Sequence, residues 1–159
     1  MHRPVWLSDT EQGVWRAFLE VNQRLYDQLD RELTRDVGQP LAYYQILAML
    51  SEAPARTLRM SELADKTWSS RSRLSHAVDR LEEKGWVMRH SCDSDKRGAY
   101  ATLTDAGFEV LSAAAPSHVT SVRRHVFENL SDAQVDELGA ALRAIATHLA
   151  ELDRSAPPV

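Results

Sequence analysis

The feature that most constrains this chain is a change of hydrophobic period at Gly85. Before it, in TWSSRSRLSHAVDRLEEKGW, Leu74, Ala77, Val78 and Leu81 recur at i, i+3, i+4 and i+7, which is one face of an α-helix. After it the period is two. Trp86 to Cys92 reads as a strand, Asp93 to Gly98 as a turn, and Ala99 to Leu103 as the returning strand. A helix that stops on a left-handed glycine and feeds straight into a hairpin leaves few architectures open. Ser69 or Ser70 is the expected N-cap, and the helix should run to about Lys84. A shorter helix over 61–67, started by Ser61 with Leu63 and Ala64 inward, precedes it across a brief turn. Two short helices so joined are the layout of a helix-turn-helix, and the hairpin is its wing.

The flanks are helical. Ser8 and Glu11 form an S-x-x-E capping box, and Trp15, Phe18, Leu25, Leu29 and Leu33 follow at helical spacing, interrupted by Asn22. That helix should stop near Val37, before Gly38 and Pro40. A second helix fits 41–52, with Ile46, Leu47 and Leu50 inward. Thr104 should cap a long helix over 105–129, with Gly107 at an exposed early position and Pro116 bending or splitting it. Ser131 starts a last helix in which Val135, Leu138, Leu142, Ile145, Leu149 and Leu152 keep a strict heptad. The tail SAPPV should be frayed. The expected fold is mainly α with a small β-wing. It is one domain over 1–159, with the winged helix-turn-helix at 41–104 and flanking helices at 8–36 and 105–153. The terminal helices carry more apolar surface than the central unit covers. A homodimer with interleaved terminal helices accounts for this, and so does packing of the first, fifth and sixth helices within one chain.

Charge is unevenly spread. Ten Lys/Arg against seven Asp/Glu give +3 between Arg56 and Tyr100, in a chain of net −4, so the flanks carry −7. A basic middle between acidic flanks suits a localised anion-binding face. No apolar run approaches the roughly 20 residues a membrane helix needs. MHRPVWLSDTE lacks the apolar core of a signal peptide, and Cys92 is the single cysteine, so a cytoplasmic protein is expected. Nucleophile–base motifs, glycine-rich phosphate loops and paired catalytic carboxylates do not occur, which argues against an enzyme and against a cofactor. His90, Cys92, His118 and His125 lack metal-ligand spacing.

SELADKTWSSRSRLSHAVDRLEEKGWVMR leads into DSDKRGAYATLTDAG, where Asp93-x-Asp95-Lys96-Arg97-Gly98 is followed by Leu103-Thr104-x-x-Gly107. Together with the flanking helices this resembles the MarR family of bacterial transcriptional regulators over nearly the whole chain. The resemblance implies a homodimer whose second reading helix enters the major groove of DNA and whose wing arginine reaches the minor groove. It also implies an effector bound between the dimerisation and DNA-binding parts. The chain departs from the family at Thr67-Trp68-Ser69, where an apolar residue, a glycine and another apolar residue are usual. Packing by the Trp68 ring is the expected replacement, and approach of the ring to the DNA backbone is the alternative.

On this reading Ser70 and Ser72, at a helix N-terminus, suit phosphate oxygens. Arg73 suits a two-donor contact to guanine, Arg71 either a base or a phosphate, and Ser75, His76 and Arg80 complete the outward face. Arg80 has Asp79, Glu82 and Glu83 as local partners. Arg97 is the wing-tip residue, Asp95 can hold its guanidinium, and Lys96 adds phosphate affinity. Trp15, Tyr26, Tyr43 and Tyr44 either line a pocket for an aromatic or phenolic effector or pack an interface. The expected function is a repressor on a pseudo-palindromic operator, released by a small molecule. A thiol sensor acting through Cys92 and a winged-helix protein–protein module are the alternatives.

Overall fold

The computed structural model describes residues 6–92 and 95–155, with the backbone alone described for Cys92, for 95–98 and for 153–155. Its elements are α1 (Asp9–Val37), α2 (Leu41–Ser51), β1 (Thr57–Arg59), α3 (Met60–Lys66), α4 (Arg71–Glu83), β2 (Val87–Cys92), β3 (Asp95–Leu103), α5 (Asp105–His125) and α6 (Asp132–Ser155). Short 3-10 turns lie at Pro54–Arg56 and Phe127–Asn129. Contacts group the chain into two units, Met1–Val119 and Thr120–Val159. No helix among the described residues is long and apolar enough to cross a membrane.

In the first unit α1 begins and ends as its sequence dictates. Ser8 N–H donates to Glu11 Oε2 at 2.7 Å and Glu11 N–H donates to Ser8 Oγ at 3.3 Å, which satisfies two free donors of the first turn. Gly38 takes φ +69° and donates to the Thr34 carbonyl at 2.9 Å, closing the helix. The apolar stripe divides along its length. Leu29 and Leu33 are buried, whereas Trp15 and Phe18 stack on each other at 6.0 Å and stay exposed.

The core gathers where α2, α3, α4 and the sheet meet. Ile46, Leu47 and Leu50 pack with Leu58, Leu63, Leu74, Val78, Leu81, Val87 and Ala101. The sheet has three antiparallel strands in the order β1-β3-β2, one more than the hairpin expected from sequence. Thr57-Leu58-Arg59 is too short to show alternation, and its pairing with Tyr100–Thr102 makes it a strand. The wing turn is also shorter than 93–98. The backbone of residues 95–98 already belongs to β3, with a register shift between Ser91 and Cys92.

Three further expectations are corrected. Ser61 lies inside α3 rather than capping it, since the N-cap position falls on Arg59, whose side chain does not cap the helix. Gly107 is buried rather than exposed, and a Cβ there would collide with the Trp86 carbonyl. Pro116 does not split α5, because one missing N–H removes a single rung of the ladder, and the helix ends at His125.

In the second unit Ser131 N–H donates to Gln134 Oε1 at 2.9 Å and opens α6. Leu138, Leu142, Ile145, Leu149 and Leu152 are all exposed on that helix, at 41% to 54%. Of the tail SAPPV, Ser155 ends α6, and residues 156–159 lie outside the described residues.

Candidate nucleic-acid interface

The turn between α3 and α4 is fixed by backbone chemistry. Thr67, Trp68 and Ser69 donate their N–H groups to the carbonyls of Leu63 (3.0 Å), Asp65 (3.2 Å) and Ala64 (3.0 Å). The Thr67 hydroxyl donates to Leu63 at 2.7 Å. Ser70, not Ser69, caps α4 and accepts from Arg73 N–H at 3.3 Å. Leu74, Val78 and Leu81 then turn inward, and Gly85 ends the helix region at φ +72°.

What remains outside is a cationic helix start. Arg71, Ser72, Arg73 and His76 are exposed and Ser75 is half-buried. No Asp or Glu occurs between Asp65 and Asp79. Neither Arg71 nor Arg73 forms an ion pair among the described residues, and both residues are exposed. Arg80 differs. It pairs with Glu83 at 2.9 Å, and that hydrogen bond raises its already high pKa further. With Tyr43, His76, Ala77, Asp79 and Glu83 it rims an open hollow against α2.

The wing is braced on α4 by a residue that sequence reasoning passed over. Arg89 on β2 donates its N–H to Glu82 Oε1 at 2.9 Å, and its guanidinium reaches Asp79 at 2.7 Å and the Ser75 carbonyl at 3.2 Å. The strand pattern holds only half of this: with period two Arg89 shares the inward face with Val87, whereas the groups that meet it belong to another element. At the other end of the hairpin Thr104 donates its hydroxyl to the Gly85 carbonyl at 2.7 Å and accepts from Gly107 N–H at 3.0 Å. One threonine thus closes α4, anchors β3 and caps α5. On the sheet's outer face Arg59 lies over Tyr100 at 5.3 Å, and His90 stacks on the same ring at 5.8 Å.

The wing-tip side chains of Asp95, Lys96 and Arg97, and that of Cys92, lie outside the described residues. The four aromatic residues read as an effector surface lie at separate places among the described residues. Trp15 stacks on Phe18, Tyr26 is exposed, Tyr43 faces the α4 hollow, and Tyr44 packs on His118 at 4.4 Å. The Trp68 ring does not pack inward either. It is 94% exposed, at φ +52°.

The sequence model of the MarR family matches residues 38–98, the stretch that holds the helix-turn-helix and most of the wing. Sco3205, a MarR family transcriptional regulator from Streptomyces coelicolor solved in complex with DNA, is 52% identical over 92% of each chain, with a TM-score of 0.84. The chain belongs to the MarR family of transcriptional regulators. A second MarR family structure, AbsC from the same organism, is 45% identical over 92% of this chain and 99% of that one, with a TM-score of 0.82. Transcriptional repressor MprA of Escherichia coli is 26% identical over 70% of this chain, and the match spans 62% of MprA's own length. The MarR assignment accounts for the Leu-Thr-x-x-Gly sequence as a joint, through the Thr104 bonds and the space left at Gly107.

Proposed function

We propose that this MarR family regulator is a cytoplasmic repressor that binds a pseudo-palindromic operator as a homodimer and is released by a small-molecule effector. The observation that carries the DNA reading is the exposed start of α4: a capped helix end, two arginines without an ion pair among the described residues, and no acid in the sequence between Asp65 and Asp79. Free amides, hydroxyls and guanidinium groups in that arrangement suit phosphates and the edges of guanine. The DNA complex of Sco3205 supports it. Ser70, Ser72 and Arg71 hold the backbone, while Arg73 and His76 reach bases and Ser75 and Arg80 flank them. Arg97 engages the minor groove from the wing, with Asp95 orienting it, and Lys96 adds phosphate affinity. Exposed apolar rows on α1 and on α6 support pairing with a second copy. Trp15, Tyr26, Tyr43 and Tyr44 are the aromatic surface offered to an effector.

A mobility-shift titration on duplexes selected by the protein from a random pool tests this reading. Arg73→Ala should lose about 1–3 kcal/mol of discrimination at one base position. Binding should weaken steeply with added salt as counterions are released. Equal affinity of Arg73→Ala and wild type for the selected duplex removes α4 as the reading helix.

A further inference from the structure

Trp68 combines two features that each oppose folding. Its backbone lies at φ +52°, a left-handed conformation that a residue with a Cβ adopts only at a cost. Its indole is 94% exposed and meets no other ring or cation among the described residues. The turn does not let the ring escape inward. The Trp68 N–H is bonded to Asp65, and the amides on either side are bonded to Leu63 and Ala64. Glycine would relieve the strain and remove the exposed ring together.

In a helix-turn-helix the first helix crosses the DNA backbone and the second enters the major groove. The turn that joins them therefore lies at the groove edge, over sugars and phosphates. Trp68 stands in that turn, two residues before the Ser70 cap, between Lys66 and the arginines at 71 and 73. We infer that Trp68 is a DNA-positioning residue, its ring face lying on deoxyribose and its indole N–H donating to a phosphate oxygen. The inference rests on the DNA-binding reading above. An indole offers one apolar face and one donor and no acceptor, so it suits backbone rather than base edges. Such a contact sets register and affinity without reading sequence.

The test uses the full chain, a duplex selected by the wild-type protein from a random pool, and a random-sequence duplex. Trp68→Gly should melt at the same temperature as wild type or higher, and bind both duplexes about tenfold more weakly, the scale of one hydrogen bond and a covered ring. The ratio of the two affinities should not change. Trp68→Asn, which tolerates the left-handed backbone, should behave like Trp68→Gly. DNA should shift the tryptophan emission of wild type to the blue, and Trp68→Phe should lose that part of the shift. Unchanged affinity in Trp68→Gly overturns the inference, as does loss confined to the selected duplex. A lowered melting temperature in Trp68→Gly also overturns it, because the ring then holds the turn. Wild-type protein that binds neither duplex in a salt-dependent way overturns the DNA reading itself, an outcome distinct from all of these.

Discussion

Single residues decide how tightly the wing joint closes. Gly107 sits against the Trp86 carbonyl, which in turn accepts from Thr104 N–H at 3.1 Å. Gly107→Ala should therefore destabilise the fold by about 1–3 kcal/mol through overpacking, despite the better helix propensity of alanine, and urea unfolding reads this directly. The glycine was visible in the sequence, but its burial was not, because nothing local announces a carbonyl from another element. His118 is a second case. It packs on Tyr44, its Nδ1 is buried without a hydrogen-bond partner among the described residues, and burial holds its pKa below the ordinary 6.5. The unfolded chain then takes up a proton that the folded chain resists. Stability should be intact above 6.5 and fall as the pH drops below it. Denaturation midpoints between about pH 7.5 and about pH 5 should decline less in His118→Gln than in wild type.

Elements show where local signals suffice. The ends of α1 and α4 follow from Ser8, Glu11, Gly38, Ser70 and Gly85, since caps act over three or four residues and each is written in the chain. β1 was not legible, because a three-residue strand is defined by its partner and not by its own pattern. The same limit hid the brace from β2 to α4. Arg89→Ala removes bonds to Asp79 and Ser75 and should cost about 1–2 kcal/mol. Amide hydrogen exchange along β2 should speed up more than exchange in α1, and Arg89→Lys should restore little, since an ammonium lacks the second arm of the guanidinium. Equal protection in wild type and Arg89→Ala removes the brace.

Across the whole molecule, the apolar surface of the outer helices is the unresolved demand. Trp6 is 82% exposed, and α1 and α6 each keep a row of large apolar side chains in water. A soluble monomer rarely leaves such rows uncovered. On the proposed homodimer, Leu142→Glu combined with Leu149→Glu should place charge on the α6 heptad and yield a particle near 17.9 kDa in sedimentation equilibrium, where wild type should give twice that mass. A wild-type mass of one chain at micromolar concentration removes the dimer.

The sequence by itself determined the order of helices, the helix-turn-helix, the wing and the family, because hydrophobic period, caps and turn residues act between near neighbours. It also marked the arginines of α4, whose outward position follows from the helical repeat. Only the tertiary structure decided that Gly107 is buried, that Arg89 ties the wing to α4, that Thr57–Arg59 joins the sheet, and that Trp68 stands in water on a left-handed backbone. Each of these depends on an atom many residues away or on the course of a turn pinned from both sides, and no local pattern encodes such distances.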